Sequence, residues 1–160
     1  MDATDHESFT PRVIEQDEQP TAVVTGTVAM GELREFFDRA FGELGQAMSD
    51  GAFEPTGPPM AVYHGVPAGT VHLEVGFPVQ GEVSPKGAVV AGRLPASRVA
   101  TSVHRGNYDD LGRSWQHLAE WAGQQGLALG DRMWEVYVTE PRPGDDPADM
   151  VTELYWMLRP

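Results

Sequence analysis

At 160 residues and 41% hydrophobic content, the chain has enough apolar surface for one core, held by a single domain or by two half-size units. Its 11 Lys plus Arg against 24 Asp plus Glu give a net charge of −13, which repels a phosphate backbone and an anionic membrane surface and speaks against direct nucleic-acid binding. The absence of cysteine removes disulfides, thiolate metal sites and cysteine nucleophiles.

Met1 to Thr10 is polar and acidic with a single aromatic, too poor in apolar surface to offset chain ordering, and is expected to be a mobile leader. The folded part is then 11–160. Arg12 to Asp17 forms a short strand or lead-in, and the β-branched run Thr21 to Ala29 predicts a full strand. From Glu32 to Met48 the apolar residues step by three and four, which predicts an amphipathic helix. Gly42 and Gly45 weaken it by about 1 kcal/mol each relative to alanine, which points to close packing there or a weak C-terminal half. Pro59 to His64 and Thr70 to Val79 follow as strands, and Gln80 to Gly87 reads as a Gly/Pro linker. Ala88 to Leu94 and Ser97 to His104 read as an extended entry to the next strand. Asn107 is a good N-cap, with Asp109 and Asp110 in the first turn of a second helix that stops near Gly123 to Gly126. The strands Met133 to Thr139 and Val151 to Leu158 close the chain around the turn-rich loop PRPGDDPAD.

The two halves, 11–80 and 88–160, share the order strand, helix, strand, strand. Tyr63 in MAVY answers Tyr137 in WEVY, and Glu74 in VHLEV answers Glu153 in VTELY. The expected fold is therefore α+β: a tandem pseudo-twofold β-α-β-β repeat forming an antiparallel sheet. Strand parity sorts the side chains. Leu154, Trp156 and Leu158 share one face and Glu153, Tyr155 and Met157 the other, while Trp134, Val136 and Val138 alternate with Glu135 and Tyr137. The simplest arrangement puts both helices on the strongly apolar face. A ligand groove then lies on the other face, carrying Glu74, Glu135, Tyr137, Glu153 and Tyr155. Carboxylates set among aromatic rings suit a cationic or amphipathic ligand.

The stretches GPPMAVYHG, VHLEVGFPV, LPASRVATSVHRGNYDDL, WEVY and VTELYWML, in this order, resemble the GyrI-like small-molecule-binding domain, which also serves as the effector-binding part of AraC-type and MerR-type multidrug regulators. The resemblance implies ligands held in a groove between the halves. It implies Glu153 as the acidic residue meeting cationic aromatic compounds, with Trp134, Glu135 and Tyr137 as neighbours and Tyr63 as a wall. No helix-turn-helix precedes the domain, so transcription-factor activity does not carry over. Some stand-alone relatives resemble hydrolases of strained, cyclopropane-bearing genotoxins, which would use Glu153, Glu135 and Tyr137 in catalysis.

Other chemistries find no support. His6, His64, His72, His104 and His117 have no metal-ligand spacing on a helix, so no metal is expected. No phosphate-binding glycine loop is present, so no cofactor is expected. His104 reads as structural, fixing the turn up to Tyr108. Trp115 and Trp121 read as core. No signal-peptide pattern opens the chain and no run of 18 apolar residues occurs, which makes the cytoplasm the expected location. The sequence thus points to a stand-alone cytosolic protein capturing amphipathic, cationic or aromatic small molecules. The alternatives are a hydrolase on the same cavity, or an acidic inhibitor with a protein partner such as DNA gyrase.

Overall fold

A computed structural model describes residues 10–65, 68–139, 144 and 146–159; the expected leader, apart from Thr10, and part of the PRPGDDPAD loop lie outside these. The elements are β1 (Arg12–Gln16), β2 (Gln19–Ala29), α1 (Leu33–Ser49), β3 (Met60–His64), β4 (Thr70–Pro78), β5 (Val90–Leu94), β6 (Ser97–Arg105), α2 (Leu111–Gln124), β7 (Leu129–Tyr137) and β8 (Val151–Leu158). The strands form one antiparallel sheet in the order β1-β6-β8-β7-β3-β4-β2-β5. The α+β class and the tandem repeat expected from the sequence are both present.

The duplication extends to pairing register. Val62 faces Glu74 across β3 and β4, and Val136 faces Glu153 across β7 and β8. Thr25 faces Glu74, and Val103 faces Glu153. Short 3₁₀ turns at Met30–Glu32 and Tyr108–Asp110 open the two helices at matching positions. The extended entry expected at 88–104 is instead two strands with different partners. β5 pairs with β2 in the first half, and β1 pairs with β6 in the second, so the halves exchange their edge strands.

That exchange bends the sheet. β1 stands first and β2 seventh in the sheet order, yet only Asp17 and Glu18 join them. In a flat sheet they would lie roughly 28 Å apart, and two linking residues span at most about 10 Å. Curling brings Ile14, Leu94 and Val99 from the outer strands against Met60, Val62 and Trp134 from the centre, forming a second small core inside the curve. The main core lies on the other face, where Phe36, Ala40, Leu44 and Ala47 of α1 and Trp115, Leu118 and Ala122 of α2 are buried. Both stripes keep the helical spacing read from the sequence. Gly42 and Gly45 have open space around them, so neither marks close packing.

Candidate functional site

Alternation along β7 sends Met133, Glu135 and Tyr137 to one face, and register decides which. Glu135 stands opposite Ala61 on β3 and Leu154 on β8, both of which are in the main core beneath the helices. Glu135 is therefore a carboxylate on the helix face, only 6% exposed. Three donors hold it. The Trp115 indole donates to Oε2 at 2.8 Å, Tyr137 donates to Oε1 at 2.6 Å, and Tyr63 reaches the same oxygen at 3.5 Å.

Glu135, Tyr137 and Tyr63 form the floor of a cavity of about 1070 Å³ on the helix face, with Trp115 behind them. Phe37 and Phe41 of α1 and Phe77 of β4 line one side, and Tyr108 and Leu111 at the start of α2 line the other. Its rings are in mutual contact: Tyr108 to Tyr137 at 5.7 Å, Tyr137 to Phe37 at 6.4 Å, Phe37 to Phe41 at 6.2 Å and Phe41 to Phe77 at 6.2 Å. Arg34 and Asp38 also contribute to the lining. A buried anion within aromatic walls can attract a cation through both charge and ring quadrupoles.

Burial lifts the Glu135 carboxyl above its ordinary range, opposed by the hydrogen bonds from Trp115, Tyr137 and Tyr63 and by the proximity of His104. Burial, reinforced by the Glu135 charge, also raises the phenols of Tyr63, Tyr137 and Tyr108, so Tyr63 and Tyr137 act here as neutral donors. Among the described residues no group of three or more His, Cys, Asp or Glu side chains is placed to hold a metal ion.

The expected site residues divide between two faces. Glu135, Tyr137 and Tyr63 come together in the cavity, on the helix face rather than the opposite one. Glu153, Tyr155, Trp134 and Glu74 do not line it. Glu153 accepts a hydrogen bond from Tyr155 at 2.8 Å, and the Tyr155 ring stacks on Trp134 at 5.6 Å, on the face turned away from the helices. Glu74 lies on that same face, 2.6 Å from His64. The cavity's buried carboxylate is thus Glu135, not Glu153. Reading Trp115 as core was right about its burial but missed its bond to Glu135. Phe37, Phe41 and Phe77 were also missed; the crowding of large rings on α1, beyond what a buried stripe requires, was the available signal.

The site sits on the seam between the halves. Tyr63 and Tyr137 are repeat equivalents, and so are Ala61 and Glu135, which face one another directly across β3 and β7. Two equivalent tyrosines therefore grip one carboxylate beside the pseudo-twofold axis, and its counterpart is a methyl group.

The sequence matches the GyrI-like small molecule binding domain over residues 9–159. The chain belongs to the GyrI-like family. Among solved structures it resembles EcmrR in its complex with DNA (TM-score 0.80, 18% identity), covering 94% of this chain and 57% of that one, so it spans little more than half of EcmrR. It also resembles SAV2435 bound to tetraphenylphosphonium (TM-score 0.71, 9% identity, 94% of each chain). A third similar fold is a hydrolase encoded by lin2189 from Listeria innocua (TM-score 0.67, 12% identity, 98% and 96%). No curated protein sequence matches the chain. No helix among the described residues is long and apolar enough to cross a membrane.

Proposed function

We propose that this GyrI-like domain captures amphipathic organic cations with aromatic or other apolar bulk, and does so in the cytosol. The positive pole would meet Glu135, and the apolar body would lie along Phe37, Phe41 and Phe77. One observation carries the reading: a buried carboxylate, held by three donors, lies in a cavity lined largely by rings and other apolar side chains. Such a charge is costly while the site is empty, and a bound cation offsets that cost. The SAV2435 structure with a lipophilic cation supports the choice of ligand class by its similar fold. Titration with tetraphenylphosphonium, followed by calorimetry and tryptophan quenching, tests it. Saturable binding that collapses in Glu135→Gln is expected; equal binding by both proteins would overturn it.

A second reading, hydrolysis of a strained electrophile, rests on the raised Glu135 carboxyl beside two phenols. In that reading Glu135 exchanges a proton while water adds to the opening ring. Mass spectrometry of the recovered ligand separates the two: an intact compound supports capture, and a product heavier by one water supports hydrolysis. An acidic inhibitor acting through a basic protein partner would use exposed carboxylates such as Glu15, Asp17 and Glu18 rather than the buried Glu135, so Glu135→Gln would leave that activity unchanged.

A further inference from the structure

We propose that His104 is a positioning residue of the cavity, clipping Tyr108 over the Glu135 floor; its relevance to ligand capture rests on the binding function proposed above. The internal repeat supplies the control. By the shared register, His104 on β6 is equivalent to Gly26 on β2, and Ser114 on α2 is equivalent to Phe36 on α1. In the first half, the Phe36 ring fills the space above Gly26 so closely that a Cβ there would collide with it. In the second half, the same space holds an imidazole against a serine hydroxyl, with His104 only 3% exposed. One fold thus fills one slot in two ways, and packing alone does not call for the histidine.

What the imidazole adds is directional. The Asn107 carbonyl can only accept, so His104 Nε2 carries a proton and donates to it at 2.8 Å. Nδ1 meets the Ser114 hydroxyl at 2.6 Å. The ring therefore ties the end of β6 both to the turn that follows and to the first turn of α2. Between these anchors Gly106 takes φ +122°, its N–H donating to the Met150 carbonyl, and the Asn107 side chain accepts from the Asp109 N–H. Tyr108 emerges from this clip. It is 41% exposed, yet it lines the cavity and sets its ring edge-on to Tyr137, whose hydroxyl holds Glu135. Met30, the first-half equivalent of Tyr108, is similarly exposed at 42% and is not among the cavity's lining residues.

The test transplants the first half's solution: His104→Gly combined with Ser114→Phe. Ring-to-ring NOEs between Tyr108 and Tyr137 in tyrosine-labelled protein report the clip without ligand. The expected result is a folded double variant with a Tm close to the parent, no Tyr108–Tyr137 NOE, and tetraphenylphosphonium affinity lower by up to about tenfold. Adding Tyr108→Ala to that variant should cost no further affinity, whereas in the parent it should cost the same factor. His104→Gln, whose amide can still donate to the Asn107 carbonyl, should retain the NOE. An NOE that survives in the double variant would overturn the proposal. So would a double variant that fails to fold, since the histidine pair would then be required for folding rather than for placing Tyr108. A parent that shows the NOE but binds no tetraphenylphosphonium would overturn the binding function and leave the clip standing.

Discussion

Glu135 carries opposing consequences for stability and for binding. In Glu135→Gln the amide oxygen can still accept from Trp115, while its nitrogen donates to a tyrosine oxygen in place of accepting from it, so the buried charge is gone and the indole keeps its acceptor. Its ligand-free Tm at neutral pH is expected at or above the parent value, while affinity for tetraphenylphosphonium falls by about 2–5 kcal/mol. Thermal scans and calorimetry on the same samples check both. The raised carboxyl also fixes a pH dependence. Between the ordinary carboxylate range and the higher value in the folded protein, the folded state retains a proton that the unfolded state has lost. Ligand-free stability therefore falls as pH rises through that window and levels off above it, while cation affinity rises over the same window. Subtracting the Glu135→Gln profile removes the titration of the other acids; a flat difference would contradict the assignment. At this scale the sequence supplied Glu135, Tyr137 and Tyr63 as candidates and the alternation that separates neighbours. It did not supply the face. Both sides of β7 carry apolar residues, and the pairing of Glu135 with Ala61 and Leu154 shows which side the helices cover.

Among the elements, glycines separate the tolerant from the intolerant positions. A Cβ on Gly76 of β4 would collide with the Ala22 carbonyl of β2, so Gly76→Ala should force these strands apart and lower the Tm by roughly 5–15 °C. Gly42→Ala and Gly45→Ala on the open side of α1 should each stabilise by about 0.5–1 kcal/mol. Differential scanning calorimetry of the three variants checks this ordering. Helix spacing, the cap at Asn107 and strands β3, β4 and β8 were legible because each is encoded within one contiguous stretch. The early start of β7 was not, because Leu129 joins the strand through a distant pairing with Leu158 and a register shift before Met133. The split of 88–104 into β5 and β6 was hidden for the same reason: β5 exists by pairing with β2, about seventy residues earlier in the chain.

For the whole molecule, the exchange of β1 and β5 makes each half incomplete. A fragment of 10–80 lacks the edge strand that covers β2, and a fragment of 88–160 lacks the one that covers β6. Each alone is expected to show little helical signal by circular dichroism, and mixing them should recover it. A cooperatively folded single fragment would show that the exchange does not bind the halves together. The strand exchange also bears on how the charge came to be single. In a symmetric dimer built from two copies of one half, the positions of Ala61 and Glu135 would have to carry the same residue. Two glutamates would face each other across adjacent strands and could not both ionise, and two alanines would leave the cavity without a buried charge. Joining the halves in one chain lifts that constraint. The one buried anion of this cavity is therefore a property that a symmetric pair of identical halves could not possess.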